Sequence, residues 1–284
     1  MGTLEGRTIV ITGGSLGIGL AVAERCAHDG AAVVIAARGQ ADMDAALEKL
    51  KGISSARHSC YRLDVGELTQ VRAFAEWIAG NYGTIDGLVN CAGVYGPIGK
   101  TPDVDLEHFE QAIKINLLGT VYMCSAFAPL IKGTRRKIVN YSGGGAATPF
   151  ARYSAYASSK AAIVRFTENL SIEMKEDGFD INCVAPGFVI TRLHQQTLAA
   201  GKEQAGDGFF ESTVKQVNSG GVPPEKAAAL TSFLLSAASD GITGKFISAP
   251  WDPWDTADFQ DLMRTDTDAA TLRRIDNKMF IKKP

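Results

Sequence analysis

Tyr156 and Lys160 form the pair in this sequence best suited to chemistry, within Tyr156-Ala157-Ser158-Ser159-Lys160. Four residues apart on a helix, they share one face, a single turn from each other. A free phenol ionises near pH 10 and is a poor base at neutral pH, but a neighbouring ammonium favours the phenolate and draws that value down. The pair can therefore take a proton from an alcohol or return one to a carbonyl oxygen. The spacing alone is common on helices, so its meaning depends on what surrounds it.

A second cluster lies near the start. Residues 7–12 read as a β-strand and run into Thr12-Gly13-Gly14-Ser15-Leu16-Gly17-Ile18-Gly19, where a helix begins. Glycines there permit a tight turn, close approach of a pyrophosphate and close packing of helix on strand. The helix N-terminus then offers unpaired N–H groups to phosphate oxygens. No Gly-Lys-Ser/Thr follows, which argues against a P-loop and NTP hydrolysis.

The elements that must position these groups alternate along the chain. Short apolar runs at 7–12, 32–37, 58–63, 85–90, 137–141, 180–185 and 245–248 are candidate strands. Helical patterns at 19–28, 42–50, 71–82, 106–130, 154–175 and 224–238 lie between them. Strands that are apolar throughout suit a parallel sheet covered on both faces. The fold class is therefore α/β: a single-domain, Rossmann-like, doubly wound sheet of about seven parallel strands over residues 1–250. Its ligand crevice should lie beyond the carboxyl ends of the strands. Residues 190–221, polar and rich in glycine, read as a lid or disordered insertion in the substrate region. Residues 251–284 form a charged tail of weak helical periodicity.

In combination, the motifs resemble the classical short-chain dehydrogenase/reductase family over roughly residues 5–248. The T-G-x-x-x-G-I-G turn carries the likeness first, and Asn90-Cys91-Ala92-Gly93 looks like the family's N-N-A-G with Cys for the second Asn. Asp64-Val65 is similar to its adenine-contacting pair, and Pro186-Gly187 with Val189 and Thr191 to the turn beside the nicotinamide. The resemblance implies an NAD(P)-dependent oxidoreductase interconverting a secondary alcohol and a ketone. It assigns catalysis to Tyr156, Lys160, Asn116 and Ser142, with Lys160 also holding the nicotinamide ribose and Asn116 helping to hold a relay water. Cofactor contacts fall to Gly13, Ser15, Leu16, Gly17, Ile18, Gly19, Arg38, Asp64, Val65, Asn90, Ala92, Gly93, Tyr156, Lys160, Pro186, Gly187, Val189 and Thr191.

Two features depart from the pattern. The family's catalytic serine stands thirteen positions before the tyrosine, where this chain has Gly143; Ser142 is the nearest hydroxyl. A one-residue shift in a strand turns a side chain to the opposite face, so Ser142 can serve only if the following glycines form a bulge that re-aims it. At the end of the second strand, Ala36-Ala37-Arg38-Gly39 lacks the carboxylate of NAD users. Arg38 would instead pair with a 2′-phosphate, which favours NADP over NAD.

Trp251 and Trp254, in Pro250-Trp251-Asp252-Pro253-Trp254-Asp255, could stack on a sugar, cyclitol or other polyol, or could anchor the tail. A 3-oxoacyl or lipophilic ketone reductase, and a non-catalytic dinucleotide sensor, are the alternatives.

Composition narrows the setting. A net charge of −2 provides no basic field for nucleic acid or membrane, and no apolar run reaches the roughly 18 residues of a membrane helix. Five cysteines without a C-x-x-C pair and four scattered histidines give no zinc cluster, so no metal is expected, and Cys91 reads as a packed thiol rather than a nucleophile. The expectation is a cytoplasmic homo-oligomer, dimer or tetramer, acting on small molecules.

Overall fold

The computed structural model describes residues 2–133 and 136–274. Seven parallel strands form one sheet in the order β3-β2-β1-β4-β5-β6-β7. They are β1 (Thr8–Thr12), β2 (Ala32–Ala37), β3 (Ser59–Arg62), β4 (Gly87–Asn90), β5 (Arg136–Tyr141), β6 (Phe179–Ala185) and β7 (Phe246–Ser248). This is the expected α/β architecture, and the order reverses between β1 and β4, opening a crevice at their carboxyl ends.

Alternation along each strand divides the core in two. Ile9, Ile11, Val33, Ile35, Val139 and Tyr141 face one helical layer: α1 (Gly17–His28), α2 (Gln40–Ile53) and α9 (Pro224–Leu235). Val10, Val34, Leu88 and Ile138 face the other: α3 (Leu68–Tyr82), α5 (Gly119–Phe127) and α6 (Ser154–Glu173). Register places Thr12 beside Asn90 and Asn90 beside Asn140 at the carboxyl rim, where the site is built.

Three segments differ from the sequence expectation. The helix expected over 106–130 is α4 (Leu106–Ile113), a π turn at Lys114–Leu118, and α5. The extra residue of a π turn rotates the helix face, and here Asn116 is completely buried. Leu106–Leu130 is also long and apolar enough, by length and composition, to cross a membrane, contrary to the reading of the sequence. In this fold its Met123, Cys124 and Phe127 pack into the core.

Residues 190–221 are neither open nor irregular. They form α7 (Arg192–Ala205), kinked at Gly201, and α8 (Asp207–Asn218). Thr191 and His194 make a capping box at the start of α7. Buried Thr197, Ala205 and Thr213 hold the pair down, so tertiary packing overrides the glycine-rich composition.

The tail also packs. Trp254 lies against Phe233 of α9, with ring centroids 5.7 Å apart, and Met263 of α10 (Ala257–Thr265) enters the core. Beyond α10, Ala270 accepts a hydrogen bond from the Phe246 amide (2.7 Å), covering the edge strand β7. Residues 275–284 of the expected tail lie outside the described residues.

Candidate active site

The glycine turn is shaped for close approach. Gly13 has φ +68°, and a Cβ on Gly19 would stand 2.2 Å from the Gly13 carbonyl oxygen, so only glycine lets α1 start this close to the strand. The Thr12 hydroxyl accepts from the amides of Cys91 (3.1 Å) and Ala92 (3.2 Å), tying the turn to the loop after β4. Leu16, at the N-cap of α1, makes no side-chain capping bond, so the first-turn amides remain free for an anion. Ser15 is buried, and Ile18 packs on the core. Thr191 closes the opposite side, its methyl 3.3 Å from where a Gly17 Cβ would be. Val189 is buried, and Gly187 lies against Pro250.

At the far end of the crevice, Arg38, Arg62, Leu63, Asp64 and Gln70 line a cavity of about 470 Å³. Arg38 is 63% exposed, with its guanidinium 3.9 Å from an Asp64 oxygen. The other Asp64 oxygen accepts from the Gly66 amide (2.9 Å), and Val65 packs where Gly119 leaves room for it. Sequence reasoning missed Arg62. Its position at the end of the neighbouring strand β3, in register with Ala37, was the available signal.

Tyr156 and Lys160 come together at the rims of β4 and β5. Lys160 is buried, and its Nζ donates to the Tyr141 carbonyl (2.8 Å) and lies 5.7 Å from the Tyr156 ring centroid. A Cβ on Gly93 would stand 3.3 Å from that Nζ and 3.2 Å from Asn116 Oδ1. Asn116 Oδ1 accepts from the Val94 amide (2.8 Å), and its Nδ2 donates to the Val94 carbonyl and to Ser159 Oγ (both 2.9 Å). Ser159 in turn donates to the Tyr156 carbonyl (2.7 Å). The π turn thus braces the helix carrying the tyrosine. The Asn116 carbonyl already accepts from the Thr120 hydroxyl (2.8 Å).

Several expectations need correction. Ser142 does not reach Tyr156. Even-numbered side chains of β5 face α6, and Ser142 keeps that parity, donating to the Lys160 carbonyl (2.9 Å). No bulge re-aims it. A Cβ at position 143 would stand only 2.5 Å from Tyr156 Oη, so the missing serine's place is against the phenol itself. The Asn90 side-chain amide donates to Asn140 Oδ1 (2.9 Å) inside the sheet.

The electrostatics also differ. Burial, not the lysine, governs Tyr156 and pushes its phenol up. Burial pulls Lys160 down. The Cys91 thiol is pushed up to about 12 by burial, with Lys160 opposing, which leaves it an unreactive packed group.

The surroundings of Tyr156 are aromatic. Tyr95 meets it edge to face at 4.9 Å, and Phe150 lies 6.3 Å away. Phe150 stacks on Tyr153 at 4.3 Å, and Phe209 of α8 packs on both. His194 of α7 lies 3.9 Å from Phe188, and burial lowers its pKa to about 4. None of these residues was singled out in the sequence. They come from four separate segments, and only Tyr153, three residues before Tyr156, carried a local hint. Of the two roles read for the tryptophans, Trp254 takes the anchoring one, packing on α9, and Trp251 is 79% exposed. Among the described residues no His, Cys, Asp and Glu group could hold a metal.

The model of the short chain dehydrogenase family matches residues 7–201, from β1 into α7. This chain belongs to that family. It is an oxidoreductase, 32% identical over 252 residues to an uncharacterised oxidoreductase, YxbG, of Bacillus subtilis (strain 168), covering 88% of this chain and 91% of that one. It is 33% identical over 192 residues to 11-beta-hydroxysteroid dehydrogenase A of Sesamum indicum, covering 68% of this chain and 55% of that protein. Among solved structures, levodione reductase superposes with a TM-score of 0.78 at 25% identity, covering 86% of this dehydrogenase and 96% of the reductase.

Proposed function

We propose that this dehydrogenase interconverts an apolar, ring-shaped ketone and its secondary alcohol, with NADP(H) as cofactor and Tyr156 as the proton-exchanging group. One observation carries the reading. The Tyr156 ring and the Lys160 ammonium lie 5.7 Å apart beside the carboxyl end of β5, under walls supplied by Tyr95 and Phe150.

The crevice fits a dinucleotide. The free amides of α1 and the close glycine turn at Gly13, Ser15, Leu16, Gly17, Ile18 and Gly19 suit a pyrophosphate. Arg38, with Arg62 beside it, suits a 2′-phosphate, and Asp64 and Val65 suit the adenosine. Ala92, Gly93 and Lys160 lie where a ribose belongs, and Pro186, Gly187, Val189 and Thr191 flank the nicotinamide end. When bound, the nicotinamide supplies or takes up the hydride.

The chain's own part is to manage the proton. Because burial raises its pKa, Tyr156 holds the proton at Oη through the neutral range and gives it to a carbonyl oxygen as negative charge develops there. Lys160, the nearest ammonium, lowers the cost of the phenolate left behind. Asn116 and Ser159 keep the helix in register during this exchange. Reduction should hold its rate from neutral pH upward and fail only above the phenol's ordinary value of about 10, because the acid must stay protonated.

The aromatic walls favour a lipophilic ring over a polyol, and the relative that carries a hydroxysteroid dehydrogenase name points the same way. The assembly proposed with this reading is a cytoplasmic homo-oligomer. The test is oxidation of NADPH and NADH with steroid ketones, cyclic diketones, sugars, cyclitols and acyl thioesters. Turnover of a cyclic ketone, cut by about 10²–10⁴ in Tyr156→Phe, supports the reading. Equal activity in that variant, or turnover of polyols alone, overturns it, and absence of all turnover favours a dinucleotide sensor. For the cofactor, Arg38→Ala should weaken NADPH by about tenfold and leave NADH unchanged. A parent enzyme that prefers NADH would remove the assignment.

A further inference from the structure

The helices α7 and α8 cover Tyr156 but are joined to the rest of the site by few polar contacts. At the middle of α7, Thr197 is completely buried, and its Oγ1 accepts from the Tyr153 hydroxyl (2.9 Å). Tyr153, also completely buried, lies three residues before Tyr156, at the N-cap of α6. Tyr95 sits between them. Its ring lies 5.2 Å from Tyr153 and 4.9 Å, perpendicular, from Tyr156. One α7 hydroxyl therefore holds Tyr153, and Tyr153 packs on the ring that walls the proton donor.

Elsewhere on α7, Arg192 at its start pairs with Asp42 (3.3 Å), and at its far end the Glu203 carbonyl accepts from Arg152 Nη1 (3.0 Å). The non-helical residue Gly201, with φ +75°, separates Thr197 from Glu203. The bonds at Thr197 and Glu203 therefore hold separate halves of a kinked helix. Only the first reaches Tyr156.

We infer that Thr197 is a positioning residue: its hydroxyl latches the α7–α8 cover onto Tyr153, whose ring packs on Tyr95, and so fixes the ring against which Tyr156 is aligned. Gly143 makes the alignment matter more. No side chain at that position steadies the phenol, and Ser142 is turned to α6. Edge-to-face packing from Tyr95 is the closest ring contact of the phenol among the described residues.

The inference rests on Tyr156 being the proton donor, and its test separates the two claims. Thr197→Val keeps the shape and removes the hydroxyl. Amide hydrogen exchange across 192–218 reads the latch. kcat for reduction of the steroid ketone that the parent turns over fastest reads the alignment, and the fluorescence of bound NADPH reads cofactor affinity.

In Thr197→Val, exchange should rise and kcat fall, each by about tenfold, the factor carried by one lost buried hydrogen bond. NADPH affinity should stay within about twofold, since the phosphate-cradling turn is untouched. Thr197→Ser should restore both changes. Should Thr197→Val fail to fold, Tyr153→Phe removes the same bond from the other side and must give the same pattern.

Unchanged exchange overturns the latch. Faster exchange with unchanged kcat overturns the coupling to Tyr156. Faster exchange in a protein whose parent reduces no ketone upholds the latch and rejects the proton-donor reading instead.

Discussion

The two ends of the crevice are built by opposite means. At the glycine turn, backbone packs against backbone: the Gly19 position faces the Gly13 carbonyl, and Thr12 holds the loop after β4 through two amides. Around Tyr156, side chain packs against side chain, with rings from the loop after β4, the start of α6 and the two cover helices meeting edge to face. Backbone contacts tolerate almost no change in side-chain size, whereas an aromatic cluster can be rebuilt with other rings around the same reaction. The first end is suited to a constant ligand and the second to a changeable one.

This contrast is tested most sharply by Gly19→Ala, whose Cβ would stand 2.2 Å from the Gly13 carbonyl oxygen. Neither backbone can yield cheaply, so NADPH affinity measured by fluorescence titration should fall by about a hundredfold, or about 2.7 kcal/mol, near the top of the usual overpacking cost of about 1–3 kcal/mol. Near-parental affinity would mean the turn is more pliable than described.

Gly143→Ser returns the hydroxyl that the family carries at this position, yet should reduce kcat by about tenfold instead of raising it. Its Cβ would stand 2.5 Å from Tyr156 Oη, and Tyr95 and Phe150 wall the ring that would have to move. A gain in rate would show that the aromatic end adapts readily.

Acid should loosen the substrate end. Burial holds His194 neutral, with its pKa lowered from 6.5 to about 4. The unfolded segment therefore takes up a proton first, and the stability His194 contributes declines as pH falls from 6.5 toward about 4. Proteolytic nicking within 192–218 should accelerate across that window, and His194→Gln should flatten the dependence. A parent profile that is already flat would remove His194 from the account.

The smallest effect belongs to Trp251→Ala. A side chain 79% exposed and outside the aromatic cluster should alter KM for a cyclic ketone by less than about twofold. A larger rise would return the tail to the substrate site.

Much of this was legible in the sequence. Unbroken apolar strands, a glycine turn at the first strand-to-helix junction and a Tyr-Lys pair one turn apart are local patterns that act over a few residues. Ser142 was readable in part. Strand parity warned that it faces the wrong way, and its bond to the Lys160 carbonyl shows where it faces instead. Of the two readings of residues 190–221, the disordered one fails, because glycine content was weighed without the buried contacts of Thr197 and Thr213. The π turn at Lys114–Leu118 was hidden as well, since one extra residue per turn leaves little trace in a helical pattern.

By itself the sequence determined the sheet, the order of its elements, the place of the phosphate turn and the spacing of Tyr156 and Lys160, because each depends on periodicity or on residues adjacent in the chain. Only the tertiary structure decided that burial rather than the lysine sets the phenol's acidity, that Gly143 occupies the serine's place beside it, and that Tyr95, Phe150, Thr197 and Phe209 enclose the site. Those outcomes depend on desolvation and on contacts between segments far apart in the chain, which exist only after the crossovers bring the strand ends together.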